Sequence, residues 1–291
     1  PTSQHNLPAL DADGRAAAAA LTGPLQLARA PEPGTLPTPE QNASAQFGDL
    51  RLLGYDLPIR ILRPGETIPI ALYWQASNVP SERYLISMKL GDTTLESSAP
   101  VHGSYPTKNW TTGEVIIDRR SLRLPRTFPS GDNSLHLSVE VAGREIGELP
   151  LGEITIERIE RQWEAPITQH PSVFILGETF RLVGYDLTPG HPLAVQLHWQ
   201  SIAVSDTDFT VFVHALNPHG ILSAQSDSQP VGGAYPTSLW MQSEFVADIH
   251  TLTLPSGEYS LETGMYLPKT GDRLLLRDGE DAIHIPKISV P

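Results

Sequence analysis

The sequence predicts an all-β protein: two tandem antiparallel β-sandwiches, immunoglobulin-like or jelly-roll in type, behind a mostly irregular N-terminal tether. Three observations predict it. Stretches such as FTVFVHAL (Phe209 to Leu216), EFVADIHTLTL (Glu244 to Leu254) and SLHLSVEV (Ser134 to Val141) alternate apolar and polar residues, the pattern of strands buried on one face. Turn signals such as Pro64-Gly65, Gly91-Asp92, Ser256-Gly257 and Thr270-Gly271-Asp272 punctuate those stretches, with no amphipathic helix between them. The chain also repeats itself once, which fits two domains rather than a solenoid of many short units.

The elements follow in order. Residues 1–46 form an Ala/Pro-rich tether, with one short helix expected after Asp13 as N-cap and over Ala16 to Ala20, then a Pro-rich extended stretch. The first sandwich is expected over 47–157, a linker over 158–172 and the second sandwich over 173–291. RLLGYDL (Arg51 to Leu57) returns as RLVGYDL (Arg181 to Leu187), and LYWQ (Leu72 to Gln75) returns as LHWQ (Leu197 to Gln200). Gly103 to Pro125 aligns without gaps to Gly233 to Pro255, and ten positions are identical: Gly103, Tyr105, Pro106, Thr107, Trp110, Glu114, Asp118, Leu122, Leu124 and Pro125. The copies differ in length after GYDL and at Asn217 to Gly220, so those places are loops. Trp74 and Trp199, inside a strand early in each copy, are candidate core residues between two sheets. Without cysteines the domains lack the disulfide of antibody sandwiches, and a fibronectin-III-like variant is nearer.

Composition excludes several function classes. A formal charge of −13, with Lys and Arg nowhere clustered, excludes nucleic acid as a partner. Absent cysteine removes thiolate metal sites and Cys nucleophiles. No apolar stretch is long enough to span a bilayer; the start at Pro1 fits a processed product or a piece cut from a longer protein, with any signal peptide or membrane anchor lying outside it. The histidines show no metal spacing: His214 aligns with Lys89 and His250 with Arg120, so no shared metal site is expected. SDSQP (Ser226 to Pro230) and DGEDA (Asp278 to Ala282) lack calcium-loop spacing. No nucleophile elbow, phosphate loop or zinc motif occurs, and no cofactor is expected. Asn42-Ala-Ser44 and Asn109-Trp-Thr111 match the glycosylation sequon, a short and frequent pattern.

The candidate site is the octet Gly-x-Tyr-Pro-Thr-x-x-Trp, written once in each copy. Tyr105, Trp110, Tyr235 and Trp240 offer two readings: an aromatic platform for a sugar ring, or a turn that closes one end of each sandwich. Duplicated domains keep fold determinants while loops drift, which favours the corner. The acids Glu114 and Asp118, like Glu244 and Asp248, lie four apart, roughly 13 Å along a strand and beyond glycosidase carboxylate spacings. They are expected to be solvated charges on a strand face.

Copy two, read as RLVGYDL…LHWQ…DFTVFVHAL…QSDSQPVGGAYPTSLW…EFVADIHTLTLPSGEYSLETGMYLPKTGDRL, resembles the C-terminal β-sandwich domain of bacterial family 39-like membrane glycosyltransferases. The resemblance spans 180–290 and is weaker over 47–156, where the VFVH and QSDS wording is missing. It implies a module outside the cytoplasm, at a cell surface or membrane, whose parent's catalytic acids lie in a membrane portion, so no active-site residue carries over. The expected function is therefore non-catalytic: an accessory module recognising or presenting glycan, or alternatively a structural module docking onto a membrane or surface protein complex. A glycan-active enzyme is the third reading.

Overall fold

The computed structural model describes residues 38–291, so the helix expected after Asp13 lies outside the described residues. Strand after strand follows the alternation. The first sandwich contains β1 (Gln41–Phe47), β2 (Leu50–Asp56), β3 (Ile61–Leu62), β4 (Thr67–Ala76), β5 (Tyr84–Leu90), β6 (Thr93–Ser98), β7 (Val115–Arg123), β8 (Gly131–Val141) and β9 (Arg144–Ile156). The second contains β10 (His170–Leu176), β11 (Phe180–Thr188), β12 (Leu193–Ser201), β13 (Thr210–Leu216), β14 (Leu222–Ser228), β15 (Phe245–Leu252), β16 (Gly257–Tyr266) and β17 (Ile283–Val290).

Each copy pairs a four-stranded sheet, β1-β2-β4-β7 or β10-β11-β12-β15, with a second sheet, β3-β9-β8-β5-β6 or β14-β13-β16-β17. The pairing is antiparallel except between β3 and β9, where Ile61 and Leu62 run parallel to Thr155 and Ile156. That short strand is built from the extra residues copy one carries after GYDL. The extra NPHG of copy two is the β13–β14 turn, in which the Asn217 carboxamide accepts the N–H groups of His219 and Ile221.

Two separate apolar cores form, one per sandwich. Trp74 and Trp199 sit fully buried at matching places, and the indole N–H of each has no hydrogen-bond partner. Strand pairing starts at Gln41 and at His170, inside the stretches read as tether and linker. Both strands lie at a sheet edge and bury their inward faces only in part, with small or polar residues such as Ala43, Ala45 and Ser172 there, so the alternation is weaker than in inner strands.

Candidate functional site

The identical positions of the octet build one corner, twice. Gly103 and Gly233 adopt φ +76° and +88°, the left-handed region that favours glycine. The proline then leads into a single 3₁₀ turn, Thr107–Asn109 or Thr237–Leu239. The threonine hydroxyl clasps the segment before the next sheet: Thr107 donates to the Glu82 carbonyl (3.3 Å) and Thr237 to the Thr207 carbonyl (2.8 Å). Thr237 Oγ1 also accepts the Phe209 N–H (3.0 Å). The tryptophan plugs the sandwich end, 1% exposed at Trp110 and 0% at Trp240. Its indole N–H donates back to the carbonyl of Tyr105 (3.1 Å) or Tyr235 (3.0 Å).

The glutamate nine residues after the tyrosine finishes the corner. Glu114 accepts the Thr111 N–H (2.8 Å) and the Tyr105 hydroxyl (3.2 Å); Glu244 accepts the Met241 N–H (2.8 Å) and the Tyr235 hydroxyl (2.6 Å). Burial, with the Glu244 carboxylate beside it, holds the Tyr235 phenol well above its ordinary range. Neither tryptophan turns a ring face to solvent, so the aromatic-platform alternative has no exposed indole to stack a sugar on.

The acids themselves depart from expectation. Glu244 is 1% exposed, and Asp118 and Asp248 are fully buried, so they are not solvated strand-face charges. Asp118 and Arg120 share the inward face of β7 with Leu122, and Asp248 and His250 share that of β15 with Leu252. There they close the seam between sheets. Arg120 donates to Asp118 Oδ2 (2.8 Å from Nη2), Glu96 Oε1 (2.7 Å) and Ser98 Oγ (3.0 Å). In copy two, His250 Nε2 meets Asp248 Oδ2 (3.0 Å) and its Nδ1 meets Ser226 Oγ (3.1 Å). That Ser-His-Asp chain runs through the ring in the reverse order of a hydrolytic triad, and with His250 1% exposed its imidazole has no face for a substrate.

The corner of copy two has a further occupant. Arg161, in the stretch read as linker, donates from Nη1 to the Tyr235 hydroxyl (2.6 Å), to Glu244 Oε2 (2.6 Å) and to the Leu239 carbonyl (3.1 Å). Its Nη2 donates to the Arg126 carbonyl (3.3 Å) of the first sandwich. Beside it the carbonyl of Gln162 accepts the Phe245 N–H (2.8 Å), a one-residue extension of the sheet edge. Arg126 reaches the Ser238 carbonyl (2.7 Å) and Asp206 (2.7 Å), and Arg63 donates to the Ala234 carbonyl. Leu239 packs on Gly65, where an added Cβ would come within 3.0 Å of its Cδ2. The octet end of the second sandwich thus receives the opposite end of the first.

Sequence reasoning missed these arginines because it followed identities. The signal was in the differences: RPGE (Arg63 to Glu66) against TPGH (Thr188 to His191), and LRLPR (Leu122 to Arg126) against LTLPS (Leu252 to Ser256). Among the described residues, no three metal-type ligands cluster and no helix is long and apolar enough to cross a membrane.

No protein-family model matches the chain, and no curated protein is significantly similar to it. Solved structures similar to it in part include two glycoside-active enzymes. One is a glycosyl hydrolase family 2 member from Bacteroides cellulosilyticus, at 10% identity over 78% of this chain, with a TM-score of 0.26. The other is a calcium-binding mutant of β-glucuronidase 2 from Bacteroides uniformis, at 12% identity over 76% of this chain, with a TM-score of 0.26. The chain spans about a quarter of the length of each, 27% and 26%.

Proposed function

We propose that the chain is a non-catalytic accessory module acting outside the cytoplasm, a stiff two-sandwich arm that spaces and docks parts of a larger surface or membrane assembly. The observation that supports this reading is the Arg161 junction. A guanidinium shared by the linker, a nearly fully buried carboxylate and a backbone carbonyl of each sandwich restrains hinge motion far more than a bare linker does. Buried octet tryptophans favour this assembly reading over glycan stacking. The compartment and the tie to a membrane glycosyltransferase parent rest on the copy-two wording alone.

The experiment is a relaxation measurement by NMR on the full chain. The two sandwiches are expected to share one rotational correlation time, and Arg161→Ala is expected to split it. Separate tumbling in the unaltered protein would overturn the spacer.

Glycan recognition has one observation in its favour. A cavity of about 410 Å³ opens beside the first octet, lined by Tyr84, Arg83, Pro106, Thr107 and Lys108 among others. Binding on a glycan array, lost in Lys108→Glu, would favour that second reading.

A further inference from the structure

We propose that the octet corner of the first sandwich is a docking socket for an arginine on an extended segment of a partner protein, engaged as Arg161 engages the second corner. The inference rests on the reading of the chain as a docking module and names what it docks.

The acid and phenol of the socket are retained, although the Asn109 carbonyl, the counterpart of the Leu239 carbonyl, here accepts the Tyr105 hydroxyl (3.0 Å). Tyr105 and Glu114 keep the hydrogen-bonded arrangement of Tyr235 and Glu244, with the carboxylate oriented by the Thr111 N–H. Val115 opens edge strand β7 where Phe245 opens edge strand β15, so the strand edge that takes the Gln162 carbonyl in copy two has its counterpart in copy one. Glu244 pairs with Arg161, whereas among the described residues no cation lies within ion-pair distance of Glu114.

Among the described residues the socket is repeated without its plug. Gln41 pairs with Tyr55 as His170 pairs with Tyr185, which fixes the register between the copies. Arg161 lies nine residues before His170, and nine residues before Gln41 the sequence has Glu32. A second copy is a poor complement as well. At the positions of Arg63, Arg123 and Arg126, its second sandwich carries Thr188, Thr253 and Ser256, and the arginine-bearing end of its first sandwich is already engaged.

The surroundings say what else the partner carries. Asp208 and Ser238 of the filled corner are replaced by Arg83 and Lys108, both exposed and neither in an ion pair among the described residues. Both line the 410 Å³ cavity next to the socket. The fitting segment is therefore extended, with one arginine for Glu114 and an acidic residue near it for Arg83 and Lys108.

The chain contains a probe of that chemistry. The peptide ERIERQWEAPIT, residues 157–168, carries Arg161 between Glu160 and Glu164. Titrated into the full-length isotope-labelled protein, it is expected to bind saturably and to shift the amides of Tyr105, Glu114 and Val115. Peptide carrying Arg161→Gln, and protein carrying Glu114→Gln, are each expected to bind roughly tenfold or more weakly, while Glu244→Gln in the protein leaves that binding in place. The peptide variant does not touch the fold of the protein, so a loss there cannot come from unfolding. Equal binding by the two peptides, or shifts elsewhere than the first corner, would overturn the socket. Shared tumbling of the sandwiches without peptide binding would sink the socket and leave the spacer standing.

Discussion

In the first sandwich the buried acid of the inner seam meets an arginine; in the second it meets a histidine. Asp118 and Asp248 are identical in place and burial, but the rest of each network changes together. Arg120 spans the seam to Glu96, and His250, shorter and able to be neutral, spans it to Ser226. An arginine needs a second carboxylate at its far end, whereas an imidazole is satisfied by a hydroxyl. The acids also differ in their outer oxygen. Asp248 Oδ1 accepts the Val231 N–H (2.8 Å), while Asp118 Oδ1 is buried without a partner. The two copies therefore keep the acid as a fixed requirement of the seam and treat its two partners as one exchangeable unit.

That comparison can be broken first at the acid. Asp118→Ala leaves Arg120 buried with the partly exposed Glu96 as its one carboxylate partner, and is expected to cost the first sandwich about 3–5 kcal/mol in urea unfolding. Partner exchange then sharpens it. Arg120→His alone takes the guanidinium from Glu96, whereas Arg120→His with Glu96→Ser installs the copy-two pair and recovers part of the loss. Equal stabilities for the single and double variants would mean that the partners are not coupled.

Next comes the corner that the copies share without exchange. Trp110→Ala and Trp240→Ala each remove a fully buried indole and its bond to the tyrosine carbonyl, at about 3–5 kcal/mol apiece. The second is expected to do more than destabilise, because Leu239 and the Leu239 carbonyl of that corner hold Gly65 and Arg161. Faster limited proteolysis within 157–169 in Trp240→Ala, and not in Trp110→Ala, would separate a junction corner from a free one. Identical proteolysis patterns would count against the distinction.

Much of this was legible in the residues. Period-two alternation marked the inner strands, and the duplicated tryptophans marked the cores, because burying one face of a strand imposes both. Edge strands β1 and β10 were not legible, since neither of their faces is continuously buried. The phase of Asp118 and Arg120 was readable in principle: both fall in register with Leu122 and Leu124, as Asp248 and His250 do with Leu252 and Leu254. Carboxylate charge predicts a solvated face for Asp118 and Asp248, whereas their register with Leu122 and Leu252 places both inside. Duplication favours a corner for the octet, but the partners that fix it were not legible, for another reason. Its tyrosine is fixed by a glutamate nine residues on, and its second copy by an arginine 74 residues back, contacts that only the folded chain brings together.

The smallest expected effect concerns those two tyrosines at alkaline pH. Burial and the neighbouring carboxylate raise the phenol of Tyr235, and Tyr105 is raised in the same direction by desolvation and Glu114. A raised folded-state value means that above about pH 10 the unfolded chain releases a proton that the folded chain still holds. Stability is therefore complete below that pH and falls as pH rises through the window above it. Tyr235 sits deeper and carries the larger shift, so the loss, which begins near the same pH for both, is expected to run further in the second sandwich. Tyr235→Phe should flatten the alkaline slope of its unfolding free energy, while Tyr105→Phe changes the slope of the first sandwich less. Urea titrations at several alkaline pH values would read both variants, and an unchanged slope in Tyr235→Phe would remove the phenol from the account.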